Sequence, residues 1–194
     1  IGDYAFSNFN TARIITIPNS VISIGKSSFE NCKGELVVEC NIPNSAFSNA
    51  KFSTVSIGAK VVSIGTSALE NCVNLTSISI PNNVRSISNS VFSGCSSLKE
   101  VIIQDSRETL SLGSNSYNKS NTGEGLFSAS PLEYVYLGRN LSYEPEKSYG
   151  YSPFYNKDKI TNVFIGENVT EINRYAFLDC DNLHSLTIGN GVLF

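Results

Sequence analysis

Apolar residues recur along this chain in a fixed order with two different spacings inside each cycle. One full unit reads Leu75-x-x-Ile78-x-Ile80-Pro81-x-x-Val84-x-x-Ile87-x-x-x-Val91-Phe92-x-x-Cys95. The Ile78-x-Ile80 step is the alternation of a half-buried strand, whereas Val91, Phe92 and Cys95 follow helical spacing. Pro81 has no N–H to donate and ends the strand pairing. Gly25 and Gly65, each in an Ile-Gly pair, are expected at tight corners that need an unusual φ. The unit therefore predicts a strand, a corner, an extended segment, a second corner and a helical turn. An aromatic residue or Leu marks each unit at Phe6, Phe29, Phe47, Leu69, Phe92, Phe127, Phe154 and Phe177. Successive marks lie 23, 18, 22, 23, 35, 27 and 23 residues apart, a period of 23 with one short unit and two enlarged ones.

A unit of this size cannot bury its apolar side alone, so neighbours must stack. The expected product is a right-handed α/β-type solenoid with about eight short strands in one parallel sheet. Extended segments and short helical turns form its other side. Strands are expected to start near Ile14, Val37, Thr54, Ser77, Glu100, Tyr134, Asn162 and Ser185. In the short unit, Val38 and Cys40 take the inward strand slots and Ile42 follows at once. The two enlarged units carry insertions at about 110–125, rich in Ser, Asn and Gly from Ser114 to Gly125, and at 144–151. Residues 1–194 read as a single array. Both ends fall inside a repeat with no polar cap, so the array is expected to be part of a longer protein.

The segment Ile17-Pro18-Asn19-Ser20-Val21-Ile22-Ser23-Ile24-Gly25-Lys26-Ser27-Ser28-Phe29-Glu30-Asn31-Cys32 resembles the BspA-like leucine-rich repeats. Val73-Asn74-Leu75-Thr76-Ser77-Ile78-Ser79-Ile80-Pro81 and Tyr175-Ala176-Phe177-Leu178-Asp179-Cys180 match that 23-residue pattern equally well. The family occurs in bacterial surface proteins and some protozoan ones, and the likeness covers the whole chain apart from the insertions. It implies a leucine-rich repeat fold, a cell-surface or secreted location, and binding to host proteins, other bacteria or glycans. The matching residues are all packing residues, so the likeness specifies the fold far more sharply than the function.

Composition removes several other classes. A net charge of -3 from 14 basic and 17 acidic residues argues against nucleic acid or an anionic membrane as the main partner. Only 16% of residues are charged, and Ser, Asn and Thr supply the missing polarity. No apolar run reaches the ~18 residues of a membrane span, so no membrane insertion is expected in this segment. His184, the one histidine, has no neighbouring Cys, Ser-Gly elbow or paired acid in sequence and reads as a satisfied polar side chain. Gly123-Glu124-Gly125 lacks the Lys and helix of a phosphate loop. Acidic residues stand singly, without the spacing of a carboxylate pair or calcium loop. Neither an enzyme nor a cofactor is expected. Cys32, Cys72, Cys95 and Cys180 share the slot three residues after the mark, and no Cys-x-x-Cys occurs. All five thiols are expected to be reduced, buried and away from metal. The sequon at Asn74 is a by-product of the repeat, and those at Asn118, Asn140 and Asn168 are expected by chance in an Asn-rich sequence.

Function is then expected to come from the outward face of the strands and from the loops. Reading the positions between inward residues gives two columns. One runs Ile14, Val37, Thr54, Ser77, Glu100, Tyr134, Asn162, Ser185, and the other Thr16, Glu39, Ser56, Ser79, Ile102, Tyr136, Phe164, Thr187. The middle coils present small hydroxyls, while the later ones gather Ile102, Tyr134, Tyr136 and Phe164, with Glu100, Asn162, Arg139 and Glu167 nearby. Such a cluster is either a contact site or a small core covered by the Tyr117 and Tyr149 insertions. The expected function is recognition or adhesion, with a host or bacterial surface protein or glycan as partner. The competing expectation is a structural spacer that displays another domain.

Overall fold

A computed structural model describes residues 1–113, 125–143 and 152–193. Twelve short strands follow in chain order: β1 (Ile14–Ile17), β2 (Lys33–Val38), β3 (Lys51–Ile57), β4 (Ser63–Ile64), β5 (Ser77–Ile80) and β6 (Ser86–Ile87). The rest are β7 (Glu100–Ile103), β8 (Leu110–Leu112), β9 (Tyr134–Leu137), β10 (Leu141–Ser142), β11 (Asn162–Ile165) and β12 (Ser185–Ile188). Every pairing between them is parallel, as stacking of like units requires.

The long strands form the face that the repeat predicts, with one correction. They make two ladders, β1-β2-β3 and β5-β7-β9-β11-β12, rather than a single sheet of eight. The break follows a bulge. Gly34 pairs with Phe52 and Glu35 with Thr54, so Ser53 is an extra residue in β3. A bulge bends its strand and raises the local twist, and β5 does not continue that ladder. Separately, the second coil sits two residues from the expected register at its pairing with β1, where the ladder is unbroken. Glu35 and Val37, not Val37 and Glu39, lie beside Ile14 and Thr16. Leu36 and Val38 are the inward pair of β2, and Cys40 is buried beyond the end of the strand.

The segments expected to be merely extended pair as well. β4, β6, β8 and β10 form a second parallel ladder, and an Ile42–Ile64 bridge carries it into the short coil. Between the ladders lies the core. Leu75, Ile78, Ile80, Val84, Ile87 and Phe92 are all buried, each such side chain stabilising the fold by about 1.5–3 kcal/mol.

No helix occurs among the described residues. The helical spacing after each second corner is realised as i→i+3 turns, with Glu30 N donating to Ser27 O and Cys32 N to Phe29 O, both at 3.0 Å. The marks stack through these turns: ring centroids are 5.2 Å apart for Phe6–Phe29, 5.5 Å for Phe92–Phe127 and 5.1 Å for Phe154–Phe177. Unusual φ values fall here rather than at the Ile-Gly corners. Ser27, Ser67 and Ser90 are left-handed two residues before the mark, and Asn31, Asn49 and Asn71 two residues after it. Asn tolerates that conformation because its short amide bonds locally. The corner glycines serve close approach instead. A Cβ on Gly65 would stand 2.6 Å from Asn44 N, and one on Gly25 2.4 Å from Asp3 N.

All five cysteines are buried and unpaired. The slot after the mark explains four of them. Sγ of Cys32, Cys72, Cys95 and Cys180 donates to the carbonyl of Phe6, Phe47, Leu69 and Phe154 in the preceding coil, at 2.9–3.3 Å. His184 is exposed, with Nδ1 against the Asn182 carbonyl.

Candidate functional site

The registers of β7, β9 and β11 bring the expected cluster together. Ile102 lies beside Tyr136, and Tyr136 beside Phe164. One row over, Glu100 lies beside Tyr134, and Tyr134 beside Asn162. The alternate residues Val101, Val135 and Val163 are buried, which fixes the six others outward. All six are half-buried. Tyr134 and Phe164 pack ring to ring across one strand spacing, with centroids 5.5 Å apart and planes tilted by 34°. Such a diagonal aromatic pair on a parallel ladder is rigid, because the backbone beneath it is hydrogen-bonded on both sides.

Polar groups end the strip differently at its two edges. Before the strands, Lys99 and Glu133 form an ion pair at 2.8 Å between exposed side chains. Thr161 Oγ1 donates to Asn162 Oδ1 at 2.8 Å. Beyond the strands, the Tyr136 hydroxyl donates to the Asp105 carboxylate, 3.0 Å from Oδ1 and 2.9 Å from Oδ2. Burial raises the Tyr136 pKa, and the hydrogen bond and the negative charges of Asp105 and Glu167 raise it further. The phenol therefore stays protonated and acts as a donor. Gly166 makes this edge possible, since a Cβ there would lie 2.8 Å from Asp105 Oδ1 and 3.0 Å from the Tyr136 oxygen. Around Asp105, Tyr136, Phe164, Glu167, Thr187 and Asn190 lies a shallow, open cleft of about 680 Å³.

Arg139 does not belong to this face. It is fully buried, and its guanidinium donates from Nη1 to the Val84 carbonyl at 2.7 Å and from Nη2 to that of Pro81 at 2.8 Å. A third bond runs from Nη1 to the Asn82 carbonyl at 3.3 Å. Burial, together with the nearby charge of Arg85, lowers its pKa. The side chain ties the corner after β9 to the corner after β5, where a surface role had been expected. Asp105, in contrast, was missed by reading only strand positions. It occupies the corner slot shared with Asn82, Arg139, Glu167 and Asn190, two residues past each strand, and that extra column would have exposed it.

Of the expected insertions at about 110–125 and 144–151, residues 114–124 and 144–151, including Tyr117, Tyr149, Asn118 and Gly123-Glu124, lie outside the described residues, while Leu110–Leu112 is β8. Their expected role as a cover over the strip is therefore not part of the geometry above. Among the described residues no group of three or more His, Cys, Asp or Glu side chains could hold a metal ion. No helix among them is long and apolar enough to cross a membrane.

Known proteins carry the same architecture. A leucine-rich repeat protein of T. pallidum superposes with a TM-score of 0.52 at 16% identity, over 93% of this chain and 72% of that one. The pneumococcal vaccine antigen PcpA gives a TM-score of 0.50 at 15% identity, over 99% of this chain and 64% of the antigen. At these identities the likeness is one of fold. No curated protein matches the chain in sequence. The BspA type leucine-rich repeat region matches in six copies, over residues 1–45, 40–152 and 147–193. With the repeat pattern matched along nearly the whole chain and the stacked parallel fold in place, the chain belongs to the BspA-type leucine-rich repeat family.

Proposed function

We propose that this chain is a non-catalytic recognition module of a cell-surface or secreted protein, and that it binds protein or glycan ligands through the outward face of β7, β9 and β11. The observation that carries the reading is the strip of Ile102, Tyr136 and Phe164 beside the Tyr134–Phe164 ring pair. Apolar side chains at the centre of an open sheet face, with charge at the rim, have the anatomy of a modest interface. The sheet is already ordered, so binding there costs little rearrangement. Membership of a repeat family with bacterial surface proteins among its members supports the location.

The test is attachment to immobilised host matrix proteins and glycans by wild type and by a Tyr134→Ser, Tyr136→Ser, Phe164→Ser variant. All three side chains are only half-buried, so the variant should keep its circular dichroism and a cooperative melt. Attachment should fall by about tenfold or more, as for loss of interface anchors. A folded variant that attaches as well as wild type would replace the recognition reading with that of a spacer.

A further inference from the structure

The cleft at the far end of the strip has a chemistry of its own. Two exposed carboxylates, Asp105 and Glu167, stand at its rim, and among the described residues no Lys or Arg lines it. Neither carboxylate has an ion-pair partner among the described residues. Their hydrogen bonds are to neutral donors: Asp105 accepts from the Tyr136 hydroxyl, and Glu167 Oε2 accepts from Asn190 N at 2.9 Å. Arg139, which occupies the matching corner slot between them in sequence, is buried with its guanidinium on the carbonyls of Pro81, Asn82 and Val84. Its charge is directed into the core and forms no pair with either carboxylate. At the opposite edge Lys99 and Glu133 neutralise each other, and Glu100 stands there as a single carboxylate beside Tyr134.

The face thus carries an apolar row, Ile102–Tyr136–Phe164, with two carboxylates gathered in one cleft beside it. We infer that it docks an arginine-bearing segment of a partner protein, with the guanidinium in the Asp105–Glu167 cleft and the neighbouring apolar side chains on the strip of Ile102, Tyr136 and Phe164. The inference rests on the recognition reading above. Charge complementarity selects a cationic occupant over a neutral one. Arginine fits better than lysine on two counts. Its planar fork can bond two carboxylates at once, and the same plane stacks on an aromatic face such as Phe164. The surrounding sheet is held by backbone ladders, so the carboxylates are presented on a rigid edge.

The experiment titrates wild type with two blocked hexapeptides, Gly-Leu-Arg-Arg-Leu-Gly and its citrulline counterpart, which keeps the shape and removes the charge. A neutral oligosaccharide is the third probe. The same titrations use Asp105→Asn with Glu167→Gln, which retains acceptors for Tyr136 and Asn190. A control variant, Asp179→Asn with Asp181→Asn, makes the same charge change at exposed positions outside the cleft. The expected result is about tenfold tighter binding of the arginine peptide than of the citrulline peptide. That preference should vanish in Asp105→Asn/Glu167→Gln and persist in the control. Equal affinity for the two peptides, no binding of either, an unchanged preference in the cleft variant, or binding of the oligosaccharide alone would each overturn the inference. The two levels separate cleanly in the attachment assay. If the Ser variant loses attachment while Asp105→Asn/Glu167→Gln keeps it, the face binds a partner and the arginine assignment is wrong. If the Ser variant itself attaches normally, the recognition reading has failed first.

Discussion

Individual side chains in this protein are specified by what the adjacent coil leaves open. A thiol fits the slot after each mark because it is small and can give one weak hydrogen bond to the carbonyl in front of it. The same burial makes these thiols poor acids. The Cys95 thiol is pushed up to about 12 and the Cys72 thiol well above its ordinary range, and burial also lifts Tyr143 to about 12. These groups hold their protons in the folded chain after the unfolded chain has lost them. Their contribution is complete below about pH 9 and disappears as pH rises toward 12. Lys157 acts the other way. Burial lowers it from 10.5 to about 8, so between those values the unfolded chain binds the extra proton and stability rises with pH. Two thiols outweigh one amine. Stability should therefore rise slightly from pH 8 to 9, where Lys157 acts first, and then fall, each thiol contributing up to about 1.4 kcal/mol per pH unit. Urea midpoints measured from pH 7 to 11 check this. Cys72→Ala with Cys95→Ala lowers the starting stability but should flatten the alkaline decline, whereas an equally steep decline would show that the thiols are not its source.

At the scale of the element, each coil is held by a backbone shape that repeats more faithfully than its residues do. Asn31, Asn49 and Asn71 share a left-handed slot, with φ of 61°, 61° and 58°, and Gly94 takes it in the following coil. Amides in neighbouring slots join, Asn31 Nδ2 donating to Asn8 Oδ1 and Asn71 Nδ2 to Asn49 Oδ1, both at 3.1 Å. Asn71→Ala should cost about 1–2 kcal/mol through strain alone, while Asn71→Gly, free of that strain, should cost less despite losing the amide ladder. Both variants lose the amide equally, so thermal or urea melts of the two isolate the backbone effect, and the reverse order would show that φ strain does not set the preference at this slot. The inward pairs such as Ile78 and Ile80 were legible in the sequence because a strand alternates strictly. The second ladder was not, since strands as short as Ser63–Ile64 leave too few positions for any period to register. The shift of the second coil was hidden for another reason: Leu36, Val38 and Cys40 alternate without a break, so a slip of two residues leaves every apolar position inward.

For the whole molecule, stacking converts a list of packing residues into two faces, and among the described residues the face of β7, β9 and β11 gathers aromatic side chains outward. The rows Glu100–Tyr134–Asn162 and Ile102–Tyr136–Phe164 followed from the repeat, because identical units in register place equivalent residues side by side. What the rows could not show was the direction of long side chains at the corners. Arg139 and Glu167 occupy equivalent slots, yet one is buried against carbonyls and the other rims a cleft. The central claim is that the aromatic face, and not the opposite ladder, meets the partner. A photoreactive phenylalanine analogue tests it most directly when placed at Phe164 on the face and, separately, at Ser111 on β8, which is exposed on the other ladder. After irradiation on the ligand that wild type retains in the attachment assay, the account predicts a cross-linked adduct from position 164 and none from position 111. An adduct from position 111 with none from position 164 would contradict it.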